Sequence, residues 1–108
     1  MELNEYQNLT KDTVIYPGQG EFWGVLYCSL GLASEAGEVV GKVKKMLRDD
    51  STYALREAAL KELGDTLWYL ARLADELGCD LESIARHNLI KLQDRKDRAV
   101  LQGSGDDR

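Results

Sequence analysis

Apolar positions recur at helical spacing along most of the chain, and turn-forming residues cut that pattern into blocks. Leu3, Tyr6, Thr10 and Val14 share one face of a short first helix, which breaks at Tyr16-Pro17-Gly18-Gln19-Gly20, around the only proline. From about Glu21 to Arg48, Leu26, Leu30, Ala33, Val40 and Leu47 predict a long helix, and Leu32, Ala36, Val39, Val43 and Met46 widen its apolar face. Asp49-Asp50-Ser51-Thr52 reads as a loop ending in an N-cap. The next helix runs from about Ala54 to Leu77 on Leu55, Ala59, Leu63, Thr66, Leu67, Leu70, Leu73 and Leu77. Gly78 suits a helix C-terminus, and Asp80 suits the N-cap of a last helix from about Leu81 to Leu101.

The fold class is therefore all-α: antiparallel helical hairpins built from three main helices and a short N-terminal one. Residues 1–101 form a single domain, and residues 102–108 are expected to be a disordered tail. Two broad apolar stripes on 108 residues are more than one small core needs, so part of that surface is expected to meet another subunit.

Composition narrows the function classes. Hydrophobic residues at 44% and charged residues at 31% exclude a disordered chain. Fourteen basic against 19 acidic residues leave a net charge of −5, which disfavours nucleic acid and anionic membranes as partners and, taken alone, any polyanionic substrate. Cys28 and Cys79 make neither a disulfide framework nor a four-ligand zinc site. No secretory leader is expected and no apolar run reaches the roughly 18 residues of a membrane span, so the expected location is cytoplasmic.

Four acid-x-x-acid pairs occur, Glu2/Glu5, Glu35/Glu38, Glu62/Asp65 and Asp94/Asp97. Composition alone yields roughly three such pairs, so position on the helix must decide. Asp94 and Asp97 lie opposite Leu81, Ala85 and Leu92, and Glu2/Glu5 sit at a fraying end; both pairs read as solvated. Glu62 borders the apolar arc of its helix, with Asp65 further round and Ala58 and Tyr69 on the same strip. Glu35 borders the Met46 edge of its stripe with Glu38 beside it, although Glu38 and Lys42 would also suit a solvated i, i+4 ion pair. In an antiparallel hairpin, Glu38 and Asp65 stand roughly 15 and 16 Å from the connecting loop, so the two pairs reach similar heights. Four carboxylates gathered there repel unless cations neutralise them, and oxygen-only ligands favour Mg²⁺ or Mn²⁺ over zinc. Two divalent ions would balance the four charges.

The last helix carries a second signal. Asn88 falls within its apolar face, and Lys91 and Arg95 follow along the same side. Inward polar groups need partners. The choice lies between ion pairs with the acids and binding of phosphate oxygens. His87 lies on the polar side, Gly18-Gln19-Gly20 lacks the lysine and strand of a P-loop, and the two cysteines lack a partnered base. Trp23 and Trp68 read as core or interface residues in preference to a base-stacking platform.

Glu35-Ala-Gly-Glu38 and Glu62-Leu-Gly-Asp65, separated by 23 residues, resemble the paired signature of the MazG-like nucleotide pyrophosphohydrolases, of the all-α NTP pyrophosphatase superfamily. The similarity covers Leu30–Lys45, Glu62–Tyr69 and Asn88-x-x-Lys91-x-x-x-Arg95, and the opening Asn4-Glu5-Tyr6-Gln7 and Tyr-Pro-Gly loop look like a single-domain branch. The resemblance implies a homodimer or homotetramer in which helices of two subunits complete a four-helix bundle. It implies Mg²⁺-dependent hydrolysis of a (d)NTP between the α- and β-phosphates, for nucleotide-pool sanitation or balance. By the same resemblance Glu35, Glu38, Glu62 and Asp65 would be metal ligands. Lys45, Lys91 and Arg95 would contact phosphates, Asn88 and Tyr69 would support them, and Glu38 is taken as the catalytic base. The alternatives are a non-catalytic helical dimer that binds nucleotide or metal, and a phosphoribosyl-ATP pyrophosphohydrolase.

Overall fold

The computed structural model describes residues 1–49 and 52–108. Every regular element among them is helical: α1 (Leu3–Leu9) continued by a 3₁₀ turn (Thr10–Thr13), then α2 (Phe22–Arg48), α3 (Thr52–Glu76) and α4 (Leu81–Asp97). The turn before α2 relies on Gly18 and Gly20, both at φ +79°, a region side chains disfavour. The α3 helix begins two residues before the expected Ala54, so Thr52, which ends the loop expected to close in an N-cap, is its first helical residue; Asp50 and Ser51 lie outside the described residues.

Helices α2 and α3 form the antiparallel hairpin, with Gly24 opposite Glu76, Gly31 opposite Tyr69 and Glu35 opposite Glu62. Among the less exposed positions of α2, Val25, Cys28, Leu32, Glu35, Val39, Lys42 and Met46 alternate by three and four residues as a helix-on-helix seam requires. Two of those seam positions are charged, which is how an acid of α2 comes to face α3. The other stripe of α2 is left outside: Leu30, Val40 and Leu47 are exposed, as are Leu60, Leu63, Leu67 and Leu70 of α3.

At the end of α3 the backbone closes in a Schellman turn, with Cys79 N donating to Ala74 O at 2.9 Å and Gly78 at φ +75°. Asp80 then caps α4 by accepting from Ser83 N at 2.8 Å. Both residues act as the sequence predicts. From this corner α4 packs against α1 and leaves the hairpin. The corner is held from below by α1: Gln7 is buried, its Nε2 donates to Cys79 O at 3.0 Å, and its Oε1 accepts from Leu81 N at 2.9 Å. Asn4 Oδ1 accepts from Glu82 N at 3.0 Å. Ala71, Ala74 and Leu81 form the small core above these bonds, with Tyr6 packed on it.

A polar network ties the segment before α2 to α3. Tyr16 donates to Glu76 Oε1 at 2.6 Å, Gly20 N donates to Glu76 Oε2 at 2.9 Å, and buried Arg72 bonds Asp75 at 2.9 Å and Tyr16 at 3.3 Å.

Helix α4 ends at Asp97, four residues before the expected Leu101. Val100 N donates to Arg95 O at 2.8 Å, and Ala99 takes the left-handed φ of +57° at the position glycine usually fills. Residues 102–108, expected to trail free of the fold, bend back along α4 through contacts of Asp106 and Arg108. Those contacts are charged and polar, and apolar periodicity carries no sign of them.

The chain exposes 7745 Å², against about 6000 Å² for a compact monomer of its mass. Its radius of gyration is 16.7 Å where about 13 Å is usual for this length. The hairpin and α4 therefore display apolar surface that the chain itself does not cover.

Candidate functional site

One carboxylate oxygen each of Glu35, Glu62 and Asp65 lies within 4.8 Å of the other two. Their meeting follows from the hairpin: Glu35 takes a seam position of α2, and Glu62 and Asp65 stand one turn apart on α3 opposite it. Thr66 turns its hydroxyl inward along α3 and donates to the Glu62 carbonyl at 2.7 Å. Partial burial pushes the Glu35 carboxyl above its ordinary range, and the charges of Asp65, Glu62 and Glu38 push it further the same way. Among the described residues no lysine or arginine pairs with any of the three acids. Three hard oxygen donors, close together and without a protein cation, fit a divalent ion such as Mg²⁺.

Glu38 stands one turn nearer the connecting loop, is exposed, and lies outside that group, although its charge reaches Glu35. The Glu38–Lys42 ion pair that spacing allows does not form among the described residues. Lys45 is half-buried, ten residues beyond Glu35 or about 15 Å along α2, and so stands apart from the acids.

Tyr69 joins the acids' neighbourhood from α3. With Glu35 it lines a cleft of about 260 Å³ shared by Tyr27, Leu30, Gly31 and Ser34. Its ring meets Trp68 edge-on at 5.0 Å and Tyr27 at 6.4 Å, and Tyr27 in turn stacks on Tyr16 at 5.5 Å. The Tyr69 ring lies over Gly31, where a Cβ would collide with it. Neither the apolar spacing nor the acid pairs mark Tyr27, Gly31 or Ser34 in the sequence. Gly31 carried a usable signal, since glycine inside a helix is costly unless something must approach the backbone closely.

The basic residues of α4 have a different partner from the four acids. Lys91 Nζ donates to Asp106 Oδ1 at 2.8 Å, and Arg95 Nη2 contacts the same oxygen at 3.1 Å and the Asp106 carbonyl. Asn88 lines a separate groove with Leu3, Leu67, Leu70, Leu81 and Ile84. No described hydrogen bond or ion pair links Asn88, Lys91 or Arg95 to Glu35, Glu38, Glu62 or Asp65.

The lower-ranked candidates have structural roles or none. Asp94 pairs with Arg98 at 2.8 Å and Asp97 accepts from Gln93 at 2.8 Å, both at the surface. Glu2 and Glu5 form a capping box on α1. Cys28 is fully buried, and burial raises its thiol pKa, so it stays protonated. Trp68 Nε1 donates to Thr13 at 2.8 Å, Trp23 is exposed on the α2 surface, and His87 is exposed on α4.

Residues 26–100 match the family model described as the MazG nucleotide pyrophosphohydrolase domain. Over 114 aligned residues that take in the whole of both chains, the sequence is 47% identical to the Gene 37 protein of Mycobacterium phage L5. No solved structure gives a significant match.

Proposed function

The chain belongs to the MazG nucleotide pyrophosphohydrolase domain family, and on that premise we propose that it is a Mg²⁺-dependent (d)NTP pyrophosphohydrolase. The reaction adds one water across the α–β anhydride of a nucleoside triphosphate, giving the monophosphate and pyrophosphate and serving nucleotide-pool sanitation or balance. The observation that carries this reading is the group of Glu35, Glu62 and Asp65 oxygens within 4.8 Å, unpaired by any described protein cation.

Those three carboxylates would hold the divalent ion, which when bound supplies positive charge to the phosphate oxygens. Glu38, one turn away and free of the cluster, is suited to take the proton from the attacking water. Tyr69, held by Gly31 and Tyr27, fixes one wall of the cleft beside Glu35. Lys91 and Arg95 supply the cations that suit phosphate oxygens, with Lys45 and Asn88 as supporting contacts.

The single chain keeps Lys91 and Arg95 off the acids, and its exposed Leu30, Val40, Leu60 and Leu63 call for a cover. Both facts support a homodimer or homotetramer in which a second copy packs on the hairpin and completes the bundle. The acidic net charge supports a nucleotide in preference to nucleic acid as ligand, and no described helix is long and apolar enough to cross a membrane.

The test is pyrophosphate release from a panel of ribo- and deoxynucleotides, with and without Mg²⁺, beside Glu38→Gln and Glu62→Gln. Mg²⁺-dependent release, reduced about 10²-fold or more in both variants, is expected. Release from no nucleotide, or full activity in both variants, overturns the reading.

A further inference from the structure

Lys91 and Arg95 spend every side-chain hydrogen bond they make to described residues on one aspartate. Asp106 Oδ1 sits 2.8 Å from Lys91 Nζ and 3.1 Å from Arg95 Nη2, and the Asp106 carbonyl also accepts from Arg95. Arg95 is only 6% exposed, whereas the Asp106 side chain is 75% exposed. A buried guanidinium and a neighbouring ammonium thus close on an anion that stands at the edge of solvent. That is the donor set a phosphate group uses, and a carboxylate is the weaker occupant: it offers two oxygens and one charge where a phosphate offers three oxygens and up to two.

The segment carrying Asp106 is built to return there. Ala99 reverses the chain at the end of α4, and Gly103 and Gly105 adopt φ of +128° and +87° to complete the bend. Arg108 then donates to Val100 O at 3.2 Å, Leu101 O at 2.9 Å and Gly105 O at 2.6 Å, closing the segment on itself. The two cations hold the Asp106 carboxyl below its ordinary range, so it carries its charge at neutral pH.

We propose that Asp106 is a built-in substitute for phosphate, and that the 98–108 strap must release Lys91 and Arg95 before a nucleotide's phosphates can take them. The inference rests on the reading of Lys91 and Arg95 as phosphate contacts. It adds a device to that reading: the strap competes with the substrate, and through it the affinity for polyphosphate is set lower than the two cations alone would give.

The experiment titrates inorganic tripolyphosphate into the full chain by calorimetry, without metal and at fixed salt, so that it is read independently of turnover. Asp106→Asn removes the competing charge and is expected to tighten binding about three- to fivefold, the worth of an exposed ion pair. Asp107→Asn removes the same charge from a residue with no described ion pair, and is expected to change binding less than about 1.5-fold. Lys91→Gln is expected to weaken binding in both backgrounds. No tightening by Asp106→Asn, or equal tightening by Asp107→Asn, overturns the strap while leaving the phosphate site standing, provided Lys91→Gln still weakens binding. If Lys91→Gln has no effect, the phosphate site falls and the strap with it. The hydrolase reading is judged separately, by pyrophosphate release from the wild-type chain.

Discussion

The side chain of Gln7 is bonded to the backbone of Leu81, 74 residues away in the chain: Oε1 accepts from Leu81 N at 2.9 Å while Nε2 donates to Cys79 O at 3.0 Å. One amide therefore satisfies a donor and an acceptor on either side of the corner between α3 and α4. Gln7→Ala leaves the buried Leu81 N and the part-buried Cys79 O unpaired and is expected to cost about 2–4 kcal/mol in urea unfolding. Gln7→Glu keeps the acceptor for Leu81 N but loses the donor, and should fall between the two. A loss below about 0.5 kcal/mol in Gln7→Ala would mean that the corner does not depend on this clamp.

The three-acid group predicts a metal effect on stability. Mg²⁺ at saturating concentration should raise Tm by about 4 °C or more, since ligand that binds only the folded state stabilises it by mass action. Chelation by EDTA should remove the gain, and Glu62→Gln should abolish the response. A thermal scan with and without Mg²⁺ checks it, and an unchanged Tm in the wild-type chain counts against a divalent site at Glu35, Glu62 and Asp65.

Gly31→Ala is the sharpest probe of the Tyr69 wall, because the added methyl falls inside the ring's present position. Ala is the better helix former, so local propensity alone would make this substitution stabilising. Overpacking should win instead, at about 1–3 kcal/mol, with an altered near-UV circular dichroism band from the Trp68–Tyr69 contact. A stabilised variant with an unchanged near-UV spectrum would show that the ring does not sit there.

Ala99 predicts the opposite outcome. It holds φ +57° at the end of α4, a conformation that costs an L-residue about 1–2 kcal/mol and costs glycine nothing. Ala99→Gly should therefore stabilise the chain by about 1 kcal/mol, partly offset by glycine's greater freedom when unfolded. Chemical denaturation reads the difference, and a destabilised variant would contradict the turn.

Acid sensitivity should involve the α4 cap. The bond from Ser83 N depresses the Asp80 carboxyl below its ordinary value. A depressed folded-state pKa contributes stability above the unfolded value, and that stability is lost as pH falls through the folded one. Stability measured from pH 6 downward should thus decline below about pH 4, less steeply in Asp80→Asn. Equal slopes for the two chains would remove Asp80 from the account.

The helices and their corner are legible in the sequence because each rests on local rules: apolar spacing, Gly78 past a helix end, Asp80 at a helix start. Glu35, Glu62 and Asp65 are legible for a related reason, since hairpin geometry converts distance from a loop into height, but height alone also gathers Glu38, which the structure leaves exposed outside the group. Gln7, Arg72 and Asp106 are not legible that way. A polar residue looks solvated until its partner is known, and those partners lie 72 and 74 residues off for Gln7 and 56 for the Arg72–Tyr16 bond. Periodicity also presents the two stripes of α2 as equals, and only packing against α3 shows that Leu32, Val39 and Met46 face inward while Leu30, Val40 and Leu47 do not.

Helix α4 is clamped at its first turn and leaves the hairpin from there, which makes it a lever with its fulcrum at the Gln7 clamp. Arg95 lies fourteen residues along it, so a rotation of about 10° at the fulcrum carries that guanidinium about 4 Å. The side chain that aims Lys91 and Arg95 thus sits at the opposite end of the chain and touches neither of them.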